Sequence, residues 1–273
     1  MDGSGRYRAA AVQMSSGPDR AANVARATAL VREAAARGAR LIVLPEVFAW
    51  RGPRDEEAAA AEPIPGPITA TLSALARELR IYLCAGSLLE RAPGEARAFN
   101  TSCVFDPDGV LVARYRKVHL FDVDIPGRVS VRESDTRAPG TETVTVPTPL
   151  GTLGLSICYD LRFPELYRAL VQAGAQVLLV PAAFTFPTGA AHWEVLCRAR
   201  AVESQCYLIA PDQSGPSPHG FLGYGDSLIV DPWGRVLARA GDGDAVVTAD
   251  IDLAYLARVR RELPCLTHAR LTA

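Results

Sequence analysis

The chain has 273 residues, 49% of them hydrophobic and 22% charged, the mix of a globular protein with a sizeable core. Its 29 Lys and Arg against 30 Asp and Glu leave a net charge of −1, which argues against a surface built for nucleic acid or acidic membranes, since such surfaces need a net basic face. No apolar run approaches the ~18 residues that span a bilayer. The opening Met1-Asp2-Gly3-Ser4-Gly5-Arg6 lacks the apolar centre of an export signal. Six cysteines (Cys84, Cys103, Cys158, Cys197, Cys206, Cys265) are scattered without a repeating interval, so free thiols in a cytoplasmic protein are expected.

In chain order, residues 9–14 form a short apolar strand. Residues 23–37 follow with Val24, Ala27, Val31 and Ala34 at helical spacing, stopped by Gly38. The continuous apolar run Leu41-Ile42-Val43-Leu44-Pro45 reads as a buried strand, which completes a βαβ crossover. Residues 51–67, rich in Ala, Glu and Pro, suggest a loop or broken helix, residues 68–79 a helix and residues 81–88 a strand. The tetrapeptides Asp106-Pro107-Asp108-Gly109 and Asp231-Pro232-Trp233-Gly234, each between alternating apolar runs, signal two hairpins. Residues 121–140 read as a long loop, the kind that is functional or disordered. A second βαβ unit takes residues 153–158, 164–173 and 177–180. Leu44-Pro45-Glu46 and Val180-Pro181-Ala182 close corresponding strands with the same step. That pseudo-repeat, with no low-complexity linker, predicts one domain over residues 1–273 made of two similar half-sheets flanked by helices.

Loops at the C-terminal ends of strands build the sites of α/β folds. Three polar residues stand where an apolar strand stops: Glu46, Lys117 and Cys158. Taken singly, each has an ordinary explanation, as a solvated carboxylate, a surface cation or a small buried hydrophobe. Together they are an acid, a cation and a thiol at three strand ends. Cys158 also opens Cys158-Tyr159-Asp160-Leu161-Arg162-Phe163-Pro164, a strand–turn–helix passage in which the helix N-terminus favours a thiolate and backbone N–H groups face a developing oxyanion. Competing systems are absent from the sequence. Nothing aims one of the four histidines (His119, His192, His219, His268) at Cys158. There is no Gly-x-Ser-x-Gly, no Cys-x-x-Cys, no His-Glu-x-x-His, no P-loop and no Gly-x-Gly-x-x-Gly. Trp193 and Trp233 are most simply packing residues.

Leu44-Pro45-Glu46, Tyr115-Arg116-Lys117-Val118-His119-Leu120-Phe121-Asp122 and Gly154-Leu155-Ser156-Ile157-Cys158-Tyr159-Asp160 resemble, in order, the three signatures of the nitrilase superfamily of carbon–nitrogen hydrolases. The likeness runs from about Ala9 to about Leu263. Asp122-Val123-Asp124-Ile125-Pro126-Gly127, Glu133-Ser134 and the segment from Thr188 to Tyr207 resemble the branch that holds deaminated glutathione amidase and omega-amidase. The resemblance implies an α/β fold, a four-layer α-β-β-α sandwich with two mixed sheets. It also implies an amidase that converts a carboxylate-bearing small amide, either deaminated glutathione or the omega-amide of a 2-oxo dicarboxylate, to acid and ammonia through a cysteine thioester.

In that scheme Glu46 is base and then acid, Cys158 is the nucleophile, and Lys117 with the Tyr159 N–H holds the oxyanion. Glu133 matches the family's second glutamate and is expected to position Lys117 or the substrate. No cofactor and no metal are implied. Arg162 is the candidate for the substrate carboxylate, against an equally plain ion pair with Asp160 or Glu165, and Phe184, Thr185 and Thr188 are candidates for the pocket wall. Family members pair through helices, so a homodimer or larger homo-oligomer is expected, with residues 164–173 and the segment from Leu253 as contributors; no nucleic acid or membrane partner is. The alternatives are a nitrilase or N-carbamoyl amino-acid amidohydrolase using the same Glu-Lys-Cys set (Leu161 stands where carbamoylase-like relatives carry arginine), a non-catalytic scaffold, and a thiol-redox protein, which would want a resolving cysteine near Cys158.

Overall fold

Strand Arg6–Gln13 is apolar on both faces: Ala9 and Ala11 enter one buried cluster, Ala10 and Val12 another. Successive side chains of a strand point to opposite sides, so this strand must be covered twice. The first cluster joins Ala9, Ala11, Leu41 and Val43 to Leu153, Leu155, Val177 and Leu179 of a second sheet. The other joins Ala10, Val12, Ile42 and Leu44 to Ala27, Val31 and Ala34 of helix Arg20–Ala36 and to Leu72 and Leu75 of helix Pro67–Leu79. Beyond the second sheet lie helices Pro164–Gln172 and Phe186–Ser204, which bury Leu166, Leu170, Trp193 and Cys197. The layers are therefore helix, sheet, sheet, helix, the α-β-β-α sandwich expected from the sequence. The structure, a computed structural model, describes residues 5–218 and 220–271. His219, one of the four histidines weighed above, and residues 1–4 of the N-terminal hexapeptide lie outside the described residues.

Both sheets are mixed and repeat one plan. The eight-stranded sheet runs Ala245–Asp252, Arg6–Gln13, Ala39–Val43, Tyr82–Cys84, Ala98–Phe105, Leu88–Glu90, with Leu111–Arg116 and Arg137–Ala138 also paired to Ala98–Phe105. The six-stranded sheet runs Thr145–Val146, Leu153–Leu155, Val177–Leu179, Tyr207–Ala210, Leu228–Val230, Val236–Arg239. Each has three adjacent parallel strands at its centre and antiparallel strands beside them.

The two predicted hairpins use one device. Asp106 accepts from the N–H groups of Asp108 and Val110, and Asp231 from those of Trp233 and Arg235, with Gly109 and Gly234 in the left-handed region. All six cysteines are free, five of them buried.

Three expectations change. Residues 121–140 are not an open loop: Asp122–Ile125 pairs with Val129–Arg132, and the short 3-10 turn Glu133–Asp135 follows. The predicted strand 81–88 breaks into Tyr82–Cys84 and Leu88–Glu90 around Gly86, whose φ of +60° ends the extended run. Trp193 is buried, but Trp233 sits at a hairpin tip and is 57% exposed, so it is not a packing residue. Among the described residues no helix is long and apolar enough to cross a membrane.

Candidate active site

Each of the three residues stands just past the end of a strand, two of them at a sharp turn. Glu46 follows strand Ala39–Val43 through Leu44 and Pro45, and the next residue, Val47, has φ of +47°, a conformation that a β-branched residue adopts only under tertiary constraint. Ser87 Oγ holds that turn by accepting the Val47 N–H at 2.9 Å. Cys158 follows Leu153–Leu155 and has φ of +49°. Lys117 ends strand Leu111–Arg116, its N–H bonded to Asn100 O at 2.8 Å. The pseudo-repeat brings the first two together: the Cys158 N–H donates to Pro181 O at 2.9 Å and the Glu46 N–H to Ala182 O at 3.3 Å. The second Val-Pro step thus lies between the carboxylate and the thiol.

Lys117, 1% exposed, donates to Glu46 Oε1 at 2.9 Å and to Glu133 Oε2 at 2.9 Å. Glu46 also accepts from Asn100 Nδ2 at 2.7 Å, and its carboxylate lies near enough to the Cys158 thiol to raise the thiol's pKa. Burial alone would disfavour the ammonium, but the two carboxylates outweigh it and raise the Lys117 pKa. Glu133 loses solvent, yet Lys117 and Arg137 hold its carboxyl down at about 2. The Cys158 thiol is pushed well above its usual range by burial and then by Glu46, with Lys117 opposing. At neutral pH the resting site therefore holds a protonated thiol beside an ammonium shared by two carboxylates.

A 3-10 turn, Cys158–Arg162, intervenes before helix Pro164–Gln172, so the thiol stands at the start of that short turn and not at the N-terminus of the α-helix. The first N–H groups of a helical turn have no partner within it. That of Cys158 is taken by Pro181 O, which leaves the Tyr159 N–H as the orphan donor next to the sulfur.

Four residues that the motifs did not single out complete the arrangement. Asn100 bridges Glu46 and, at 3.4 Å, Glu133; its signal was an amide in an otherwise apolar and hydroxyl-bearing strand. Arg137 donates to Glu133 Oε1 at 2.5 Å and clamps Glu57 through Nε and Nη2 at 3.0 and 2.7 Å. Asp160, fully buried, accepts from Tyr115 OH at 2.6 Å, the Ile157 N–H at 2.8 Å and the His119 N–H at 3.0 Å. It ties the Cys158 turn to the Lys117 strand end. His119 itself pairs with Asp160 and stacks on Phe163 at 3.7 Å, serving that tie.

Glu46, Lys117, Glu133 and Cys158 line a cleft that is partly open to solvent. Arg162, Phe184, Thr185 and Thr188 all line it. Arg162 makes no ion pair with Asp160 or Glu165; its guanidinium lies 5.8 and 5.5 Å from the rings of Tyr159 and Phe184 and 3.2 Å from His192 Nδ1. Thr185 and Thr188 are hydrogen-bonded to each other through their hydroxyls at 2.9 Å, and Phe184 packs on Trp193. Arg51 and Arg54, from the segment read as a loop, also face the cleft. No group of three or more His, Cys, Asp or Glu side chains placed to hold a metal ion occurs among the described residues.

A model of the carbon-nitrogen hydrolase family matches residues 8–261. The chain belongs to that family. Omega-amidase NIT2 from Homo sapiens is 43% identical over 264 residues, 97% of this chain and 95% of that one. Among solved structures, the C. elegans NitFhit protein superposes with a TM-score of 0.92 at 41% identity, covering 98% of this chain and 66% of that one. Saccharomyces cerevisiae Nit3, a member of branch 10 of the nitrilase superfamily, gives 0.88 at 33% identity, with 97% of each chain covered. A carbon–nitrogen hydrolase is a hydrolytic enzyme, and here its fold brings an acid, an ammonium and a thiol to one cleft.

Proposed function

We propose that this carbon–nitrogen hydrolase is an omega-amidase: it hydrolyses the distal amide of a small 2-oxo dicarboxylic acid to the free acid and ammonia through a thioester on Cys158. The observation that carries this reading is the convergence of Glu46, Lys117 and Cys158 on one cleft in a chain 43% identical to a named omega-amidase. Glu46 removes the thiol proton as sulfur attacks the amide carbon. Lys117 and the Tyr159 N–H take the oxyanion, and Glu133 keeps the ammonium in place from its other side. Glu46 returns the proton to the departing nitrogen, ammonia leaves, and the thioester remains. Water, deprotonated by Glu46, then adds to the thioester carbonyl, the thiol departs with its proton restored, and the acid is released. A single carboxylate can serve both half-reactions because it faces the sulfur and is hydrogen-bonded to the ammonium.

The clustering of Arg51, Arg54 and Arg162 around the cleft supports an anionic substrate. Arg162, Phe184, Thr185 and Thr188 remain the proposed walls of the acyl pocket. Ammonia release from 2-oxoglutaramate, deaminated glutathione, a simple nitrile and an N-carbamoyl amino acid tests the reading, with Cys158→Ala as control. The expected result is release from 2-oxoglutaramate with the variant inactive; turnover confined to the nitrile or carbamoyl compound, or to deaminated glutathione, would reassign it.

We also propose a single domain over the whole chain, because one core cluster draws on both sheets, and a homodimer. The apolar side chains left exposed on helix Phe186–Ser204, Val195 and Val202 among them, support pairing through that helix. Five buried free thiols fit a reducing compartment such as the cytoplasm.

A further inference from the structure

Five cations line the cleft, Arg51, Arg54, Lys117, Arg137 and Arg162, against two carboxylates, Glu46 and Glu133. Glu46 and Glu133 are engaged with Lys117, and Arg137 is held by Glu133 and by Glu57 behind the wall. The remaining three arginines are not equivalent. Arg162 is half-buried, with aromatic faces and His192 around its guanidinium. Arg51 is only 6% exposed; among the described residues its one side-chain hydrogen bond is from Nη2 to Ser217 Oγ at 3.3 Å, and no carboxylate is in ion-pair contact with it. The nearby acid Asp212 is not in ion-pair contact with Arg51; burial, aided by Glu46, pushes its carboxyl well above the ordinary range, and its charge offsets only part of the desolvation of the guanidinium. Arg51 itself has its pKa lowered by burial, with Glu46 opposing.

A buried guanidinium without a carboxylate in contact is costly to hold, because desolvation is only partly offset. The fold nonetheless fixes it. The Arg51 N–H donates to Gly17 O at 2.9 Å, and the preceding Trp50 is packed in a small buried cluster with Val47 and Leu89. Such a group is a preformed half of an ion pair. Its planar fork suits a carboxylate better than a point charge does.

We propose that Arg51, aided by Arg54 three residues on, receives the carboxylate at the end of the substrate remote from the scissile amide and so sets the preference for acidic over neutral amides. This rests on the omega-amidase reading. It moves the main anion contact from Arg162, the residue the sequence suggested, to the loop that follows Glu46. The strand end that supplies the general base thereby also supplies the specificity residue, five positions later.

The test is the ratio of kcat/KM for 2-oxoglutaramate to that for butyramide, a neutral amide of comparable length, in the wild type, Arg51→Gln, Arg51→Lys and Arg162→Gln, with thermal melting to establish folding. The expected outcome is a fall in the ratio of about a hundredfold for Arg51→Gln, carried mainly by KM, as for one partner lost from a buried charge pair. A smaller fall is expected for Arg51→Lys, which keeps the charge but not the fork, and the smallest for Arg162→Gln. A ratio within about threefold of wild type in folded Arg51→Gln, or the large fall in Arg162→Gln instead, would overturn the inference. Should Arg51→Gln not fold, Arg51→Lys decides: a fall of about tenfold supports the assignment and no fall overturns it. A wild type that prefers butyramide would instead refute the omega-amidase reading itself.

Discussion

Glu46 and Glu133 share the Lys117 ammonium, and Arg137 holds Glu133 from behind. Removing Glu133 leaves each cation one carboxylate, Glu46 for Lys117 and Glu57 for Arg137. Glu133→Gln should therefore cost less than the ~3–5 kcal/mol usual for breaking a buried pair, while kcat falls about ten- to a hundredfold as the ammonium loses its fixed position; urea unfolding and steady-state kinetics together check this. The thiol offers a second prediction. Because the Glu46 carboxylate, after burial, raises the Cys158 pKa and Lys117 lowers it, Glu46→Gln should make Cys158 alkylate faster with iodoacetamide at pH 8, and Lys117→Met slower. Unchanged rates in both variants would contradict the assigned electrostatics. That Glu46, Lys117 and Cys158 come to one cleft was legible in the sequence, from their strand-end positions and from the motifs that resemble the family's. Asn100, Arg137 and Arg51 were not: a buried amide in a strand and arginines in a polar loop look like any others until the chain brings them to the same cleft.

Strand ends and the turns after them set the geometry. Gly86 breaks the strand beside Glu46, and a Cβ there would lie 2.0 Å from Pro45 O and 2.5 Å from Leu44 O. Both contacts are with the backbone that delivers Glu46, so neither can yield without moving it. Gly86→Ala should lower stability by about 2 kcal/mol or more, from the left-handed φ and the overlap, and should reduce kcat while leaving the Cys158 turn intact. Melting and kinetics would show both losses, and a variant as stable and active as wild type would contradict the fit. Sequence periodicity gave helix Arg20–Ala36 closely, since Ala27, Val31 and Ala34 are its buried stripe. It missed the hairpin in residues 122–132 and the 3-10 turn at Cys158, because short elements ended by tertiary hydrogen bonds leave no periodic signal.

Across the whole molecule, burial raises the pKa of five thiols: Cys84 and Cys206 to about 11, Cys103 to about 12, and Cys158 and Cys197 well above the usual value. Unfolded thiols ionise near pH ~8.5, so above that pH the unfolded chain binds fewer protons than the folded one, and stability falls as pH rises. Each thiol contributes a loss of about 1.4 kcal/mol per pH unit until its folded pKa is reached. The urea midpoint should therefore drop steeply from about pH 9 upward, and Cys197→Ala should flatten the slope; a midpoint constant to pH 10 would contradict this. At the same scale, if the proposed dimer pairs through helix Phe186–Ser204, Val195→Glu on its exposed face should give a monomer by light scattering without loss of fold, and an unchanged mass would contradict that pairing. The two-layer sheet plan was legible because the Leu-Pro and Val-Pro strand ends repeat. The wall of the cleft was not, because it gathers residues from position 46 to position 221.

Hydroxylamine partitioning measures directly whether an acyl group passes through the Cys158 sulfur. Wild-type protein is given glutaramate, which lacks the keto group that hydroxylamine would convert to an oxime, or monomethyl glutarate, with hydroxylamine present, and hydroxamate and acid formed above the protein-free background are quantified. A common thioester predicts the same hydroxamate-to-acid ratio from both substrates, and neither product from Cys158→Ala. Ratios that differ between amide and ester, or turnover that survives the loss of the thiol, would contradict it.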